Sequence, residues 1–227
     1  MIYLRNERSR LAGATNQKQL GLTKVMIEAI RPILDKPFFY ELFDVLIGAN
    51  HARSVLVREY IRPKDTDRIL DIGCGSGNML PFLPKCKYLG VDANESYIAS
   101  ARRRYGDRGE FICGRVSHLK VEQFGTFDVA LAVGLVHHLD DSEALDLFRL
   151  GFEAVRPGGR LISHDICYTP DQSALERYLL SHDRGQFVRN QSRYLELARS
   201  CFRQVTPNLR KDLLRLPYTH LIMECIR

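Results

Sequence analysis

The chain has 227 residues, 45% of them hydrophobic, and a formal charge of +6, which is enough apolar content for one well-buried core and short for two independent domains. No apolar run reaches the roughly eighteen residues of a membrane-spanning helix, and Met1-Ile2-Tyr3-Leu4-Arg5 runs into polar sequence rather than a signal-peptide core, so a cytoplasmic location is expected. Six cysteines without a close Cys-x-x-Cys pair argue against a zinc site and a disulfide framework, and the modest, dispersed positive charge selects no class of partner.

Residues 1–20 are polar, rich in Arg, Asn and Gln and without a period, which reads as an arm. Residues 22–34, 38–47 and 51–61 carry apolar positions at helical spacing, the last segment broken by Arg62-Pro63. From Ile69 onward the pattern alternates buried strand and helix. Strands are expected near 68–72, 87–91, 110–113, 127–133 and 159–165, with a helix beginning near Asn78 and others in the later gaps. Pro157-Gly158-Gly159 reads as the turn feeding the fifth strand. Residues 169–191 form a polar, helix-capable insertion at the ligand face of such a sheet, a candidate lid. A helix over 192–200 and strands over 202–209 and 218–226 end the chain. The expected organisation is one compact domain, with 1–61 as arm and cover helices and 62–227 as the sheet.

The richest local signal is Arg68-Ile69-Leu70-Asp71-Ile72-Gly73-Cys74-Gly75-Ser76-Gly77-Asn78. Glycines let a backbone turn tightly and approach a ligand closely, and a strand leading into such a turn places the ligand at the strand's carboxyl end. The third glycine comes one residue earlier than in the dinucleotide pattern. Asp71, two residues before the first glycine, would repel a pyrophosphate but suits a cationic ligand group. About twenty residues on, Lys87-Tyr88-Leu89-Gly90-Val91-Asp92 reads as a second strand ending in an acid, set to accept hydrogen bonds from two ribose hydroxyls.

In these residues the chain resembles the class I S-adenosylmethionine-dependent methyltransferases of small-molecule type, over about residues 65–168. The resemblance implies an α/β fold: a Rossmann-like, doubly wound, mostly parallel seven-stranded sheet with a C-terminal antiparallel hairpin and N-terminal cover helices. It implies S-adenosyl-L-methionine as cofactor and S-adenosyl-L-homocysteine as product. Carried over by position, the cofactor residues are Asp71, Gly73, Cys74, Gly75, Gly77, Asp92, Ala93, Val116, Val133 and Leu135. An acid that often follows the family's third strand is missing here, where Gly114-Arg115-Val116 stands. That leaves backbone and apolar contacts near Val116 for the adenine, and Leu135 reads equally as a plain core leucine.

Methyl transfer is an in-line displacement that needs alignment more than side-chain chemistry. A hydroxyl acceptor must also lose a proton, which suits a histidine. The fourth strand runs into Gly134-Leu135-Val136-His137-His138-Leu139, an ending found in many small-molecule methyltransferases, so His138 and His137 are the catalytic candidates, with capping of the next helix as the alternative. In phosphobase methyltransferases a histidine matching His138 pairs with an N-terminal tyrosine, a part open to Tyr40 unless it simply packs with Phe38 and Phe39. His164, Asp165 and Tyr168 are secondary candidates for acceptor contacts, and Arg177, Arg184, Arg189 and Arg193 read first as solvated faces. The expected activity is methylation of a small-molecule acceptor, most simply on oxygen, with no metal and no nucleic-acid partner. An RNA or protein methyltransferase is the alternative, although Val133-Gly134-Leu135-Val136 lacks the amide that amine-methylating enzymes place there. A non-catalytic cofactor-binding protein on the same fold is another.

Overall fold

A computed structural model describes residues 46–118, 121–183 and 185–227 of the protein. The chain divides into two units, Met1–Ala49 and Asn50–Arg227, and the second holds the sheet. Helix α1 (Ala49–Val55) widens into a π turn over Leu56–Ile61. It stops at Arg62, which takes the left-handed conformation at φ 45° and donates its backbone N–H to Val57 O at 2.8 Å. Pro63 follows, and a proline ring disfavours the helical conformation in the residue before it. The buried face of this segment, Ala52, Val55, Leu56, Tyr60 and Ile61, shares an apolar cluster with Ile69, Val129, Leu131, Ile162 and Ile222, the residues that point to one side of the sheet.

The strands are β1 (Arg68–Ile72), β2 (Lys87–Asp92), β3 (Glu110–Cys113), β4 (Phe127–Val133), β5 (Val155–Tyr168), β6 (Arg189–Asn190), β7 (Gln204–Arg210) and β8 (His220–Ile226). Seven of them lie in the order β3-β2-β1-β4-β5-β8-β7, and the two-residue β6 pairs with the end of β5. Strands β1 to β5 run parallel, while β8 is antiparallel to both β5 and β7. The chain leaves β1 toward β2 and β3, then returns to β4 on the other side. Ligands of such sheets bind outside the strand ends at this reversal.

The opposite face packs Leu70, Ile72, Ala130, Ala132, Leu161, Leu221 and Met223 against α3 (Asp141–Ala154) and α5 (Gln191–Arg199) through Ala144, Leu147, Phe148, Tyr194 and Leu197. Each large side chain buried there stabilises the fold by about 1.5–3 kcal/mol. The helices start where side chains satisfy their first amides. Asn94 caps α2 (Glu95–Tyr105), Asp140 and Glu143 form a capping box on α3, Ser173 and Glu176 do the same on α4 (Ala174–Ser181), and Asn190 caps α5. The cap of α3 is therefore Asp140, and His137 and His138 lie before it in a tight 3₁₀ turn, Val136–His138.

Two local expectations are corrected. The helix expected near Asn78 is replaced by turns and a single 3₁₀ turn, Leu80–Phe82. Pro81 and Pro84 explain this, since neither donates a backbone hydrogen bond and their rings obstruct a continuing helix. Pro157-Gly158-Gly159 lies within β5 rather than before it: pairing with β4 jumps from Phe127↔Val155 to Val129↔Arg160, and the intervening residues bulge opposite Asp128. Gly158 sits at φ 76° there.

Candidate active site

The glycine turn after β1 closes onto the neighbouring strand, with Gly73 N–H and Cys74 N–H both donating to Val91 O at 2.7 and 3.0 Å. Gly73, Gly75 and Gly77 have φ of 75°, 54° and 79°, a region costly for residues with a Cβ. Their surroundings differ. A Cβ on Gly73 would come to 2.8 Å from the Leu135 side chain and one on Gly77 to 3.1 Å from Tyr105, whereas one on Gly75 would meet nothing within 4 Å. Gly73 and Gly77 are thus small because protein crowds them, and Gly75 is bare against open space. Asp92, half-buried at the end of β2, accepts from Gly75 N–H at 2.9 Å through one oxygen and from Asn94 N–H at 2.8 Å through the other. The carboxylate is tied to the turn from the adjacent strand.

Asp71 lies deeper, at 1% exposure, and accepts a 2.6 Å hydrogen bond from the Tyr88 hydroxyl, one strand across. Burial pushes its carboxyl up to about 6, partly offset by that hydrogen bond and reinforced by the nearby Asp92 charge. The Cys74 thiol also turns inward: it is buried, and a Cβ on Gly90 would stand 2.8 Å from its sulfur. Desolvation pushes the thiol well above its ordinary range, so Cys74 can offer a ligand its backbone and not a thiolate. Ala93 is exposed beside Asp92, while Val116, Val133 and Leu135 are half-buried at the ends of β3 and β4. The sequence-predicted cofactor residues accordingly converge on the carboxyl ends of β1 to β4.

Beyond β4, Gly134 donates to His164 O at 2.7 Å, fastening the end of β4 to β5. His137 is 7% exposed. Its ring Nδ1 lies 2.8 Å from Asp165 Oδ1, and its backbone N–H donates to the same oxygen at 3.1 Å. A carboxylate at Nδ1 favours the tautomer with the proton on Nδ1, which leaves Nε2 on the side of Asp183. His138 is exposed and stacks obliquely on His137, the ring centroids 4.2 Å apart. Tyr40 lies outside the described residues.

The segment after α4 lies directly on His137. Phe187 N–H donates to His137 O at 2.9 Å, and Asp183 Oδ1 stands 3.7 Å from His137 Nε2. A Cβ on Gly185 would fall 2.1 Å from His137 Cδ2. Arg189 corrects the expectation of a solvated face. It is buried and donates to Val136 O (3.0 Å), Leu139 O (2.7 Å), Phe187 O (2.9 Å) and Asp141 (2.8 Å), binding the segment to the histidine turn. Arg193 joins the same Asp141 from a more exposed position, Arg177 donates to Thr169 O, Tyr168 is half-buried, and Arg184 lies outside the described residues. Sequence reasoning missed Gly185, Tyr88 and His220. No local pattern marks them, because each meets a partner far along the chain that only strand register or the path of the segment after α4 reveals. Among the described residues no group of three or more His, Cys, Asp or Glu is placed to hold a metal ion, and no helix is long and apolar enough to cross a membrane.

Residues 69–159 match a family model described as a methyltransferase domain. The chain is 31% identical over 146 residues to the O-methyltransferase cnsE of Penicillium expansum, covering 59% of this chain and 50% of that one. It is 27% identical over 127 residues to phosphoethanolamine N-methyltransferase 1 of Triticum aestivum, covering 54% and 25%. The chain thus spans half or less of these curated relatives. Among solved structures, the PH0226 protein from Pyrococcus horikoshii OT3 superposes with a TM-score of 0.59 at 19% identity, covering 85% of this chain and all of that one, a likeness of fold alone. The cofactor of such domains, S-adenosylmethionine, fits the residues present: the open space at Gly75 admits close backbone approach, and the Asp92 carboxylate stands beside it. Strand order, glycine turn, second-strand acid and the match over residues 69–159 together support a class I S-adenosylmethionine-dependent methyltransferase domain in this chain.

Proposed function

We propose that the protein methylates a hydroxyl of a small-molecule acceptor in the cytoplasm, with His137 as the general base and Asp165 as its positioning residue. The observation that carries this reading is the buried Asp165–His137 pair at the end of β4, next to the glycine turn. S-adenosylmethionine, when bound, supplies an electrophilic methyl group on a sulfonium. Gly73, Gly75, Gly77 and the backbone of Cys74 and Ala93 would line its path, Asp92 would accept from its ribose hydroxyls, and Val116, Val133 and Leu135 would give apolar contact. Asp71 would act from beneath the turn, through its charge and its bond to Tyr88. His137 Nε2 would take the hydroxyl proton as the acceptor oxygen gains its methyl group, and Asp165 would stabilise the imidazolium that results.

His137 is favoured over His138 because a base needs a fixed tautomer and a dry setting, and Asp165 together with burial supplies both. A hydroxyl acceptor agrees with the name of the Penicillium relative, whereas a neutral amine, as in the name of the wheat relative, needs no base for the displacement. The segment 169–191 is read as a lid, supported by Arg189 and Phe187 holding it to the histidine turn.

Calorimetric titration with S-adenosylmethionine and S-adenosylhomocysteine tests the first half, with Asp92→Ala and NADH as controls. Saturable binding lost in the variant is expected; preference for NADH would end the reading. For the second half, His137→Gln should retain cofactor affinity and lower kcat by about 10²- to 10⁴-fold, the usual worth of a general base, with His138→Gln much milder. Equal turnover in wild type and His137→Gln would remove the base assignment.

A further inference from the structure

Two imidazoles that the reaction does not use lie within electrostatic reach of His137. His164 on β5 and His220 at the start of β8 stack with centroids 4.8 Å apart and an interplanar angle of 24°, and Tyr218 continues the column 6.1 Å beyond His220. They occupy one face of the sheet on antiparallel neighbours, where His164 pairs with Ile222 and His220 with Ile166. His220 is 3% exposed. Both ring nitrogens of His164 and Nδ1 of His220 are buried without a hydrogen-bond partner. Stacked rings cannot satisfy each other in their planes, and each buried polar atom left unmatched is destabilising. Apolar residues would remove that cost, so a partner that arrives from outside explains the histidines better than packing does.

The rings also specify the partner's chemistry. Burial holds His164 well below its ordinary range and His220 at about 4, so both are neutral near pH 7. A neutral imidazole has one N–H and one lone pair, and His164 offers both unfilled in either tautomer. A bare anion would satisfy only the N–H and a bare cation only the lone pair. A hydroxyl, alone or beside a carbonyl, satisfies both.

We propose that His164 and His220 form a second subsite for the methyl acceptor, one that binds an uncharged hydroxylated part of the molecule while His137 meets the oxygen to be methylated. The subsite rests on the methyltransferase reading and adds to it a substrate class: acceptors with at least two hydrogen-bonding oxygens and no phosphate at this end.

Ligand-observed NMR titration of the full chain, saturated with S-adenosylhomocysteine, tests this with phenol, the three dihydroxybenzenes and phenyl phosphate as probes. At least one dihydroxybenzene should bind about tenfold more tightly than phenol, the worth of one added hydrogen-bonded contact of about 1.4 kcal/mol, and phenyl phosphate no better than phenol. His220→Phe keeps a stacked ring and should abolish the preference, with S-adenosylhomocysteine affinity unchanged and Tm not lowered. His164→Phe, read the same way, serves if the first variant folds poorly. No preference among the probes, no binding of any, tighter binding of phenyl phosphate, or a preference that survives both substitutions would overturn the subsite. Failure of the wild type to bind S-adenosylhomocysteine would instead overturn the methyltransferase reading beneath it.

Discussion

The two halves of the site satisfy their polar groups in different ways. Around β1 and β2 the acids are tied to protein donors: Asp71 to Tyr88, Asp92 to two backbone amides. Around β5 the buried side-chain atoms without a hydrogen bond accumulate: Ser163 Oγ, both nitrogens of His164, Asp165 Oδ2, Tyr178 OH and His220 Nδ1, while Arg160 Nε at the strand's other end has only a 3.6 Å ion pair with Glu224. Among the described residues none falls on β1, β2 or β3. Buried polar atoms of this kind call for a partner, from ordered water or from a ligand. On the reading proposed above, the half around β1 and β2 is a finished backbone cradle for the cofactor, and the half around β5 is where an acceptor's polar groups would be met.

The largest effect that would break this contrast comes from the segment lying on His137. Gly185→Ala sets a methyl group 2.1 Å from His137 Cδ2 and 2.9 Å from its carbonyl oxygen, so either the imidazole or the segment must move. Misplacing a reacting group by about 1 Å costs on the order of 10²-fold in rate. A fall of that size in kcat is expected, with cofactor affinity unchanged by calorimetry. Unchanged kcat would mean that the segment does not position the base.

A smaller effect separates two glycines within the finished half. Gly75→Ala and Gly73→Ala both impose positive φ on alanine, at about 1–2 kcal/mol each. At Gly75 the new methyl group points into open space; at Gly73 it strikes Leu135. Gly75→Ala should therefore lose at least about tenfold in S-adenosylhomocysteine affinity for a modest drop in Tm, and Gly73→Ala should show the larger drop in Tm. The reverse ranking would remove the assignment of the space at Gly75 to the cofactor.

The same contrast governs what could be read from sequence. The cradle was legible because its parts are local: an acid, three glycines and a second acid about twenty residues on, each required by backbone geometry. Strand order followed from the alternation of elements and from the terminal pair of strands. The absent helix after Gly77 was also written there, in Pro81 and Pro84, but the expectation attached to the glycine motif outweighed two prolines. The half around β5 was only partly legible. His137, His138, His164 and Asp165 stood out as polar residues ending apolar strands, yet nothing local said that Asp165 grips His137. The stacking of His220 on His164 depends on the antiparallel register of β5 and β8, and the need for glycine at 185 depends on where the segment after α4 crosses the histidine turn. Such pairs are set by tertiary structure, which no spacing rule reports.

The smallest effect opposes the two halves in their response to pH. The Asp71 carboxyl is raised from 3.8 to about 6, so between those values the folded protein holds its proton more tightly than the unfolded chain, and this group lowers stability as pH rises through the window. His220 is depressed from 6.5 to about 4. There the unfolded chain takes the proton first, and this group lowers stability as pH falls from about 6.5. Over the shared interval the contributions have opposite slopes and partly cancel in the wild type. Asp71→Asn keeps an acceptor for the Tyr88 hydroxyl while removing the buried charge, so it should gain at least about 1.4 kcal/mol above pH 6, the equivalent of one pKa unit, and expose the acid-side loss due to histidine. His220→Phe should remove part of that loss and leave the fall above pH 4 due to Asp71. Urea unfolding of both variants between about pH 4 and pH 8 decides the matter. Parallel pH profiles in the two variants would mean that neither group carries the linkage assigned to it, and would weaken the case that His220 is held neutral for an uncharged ligand.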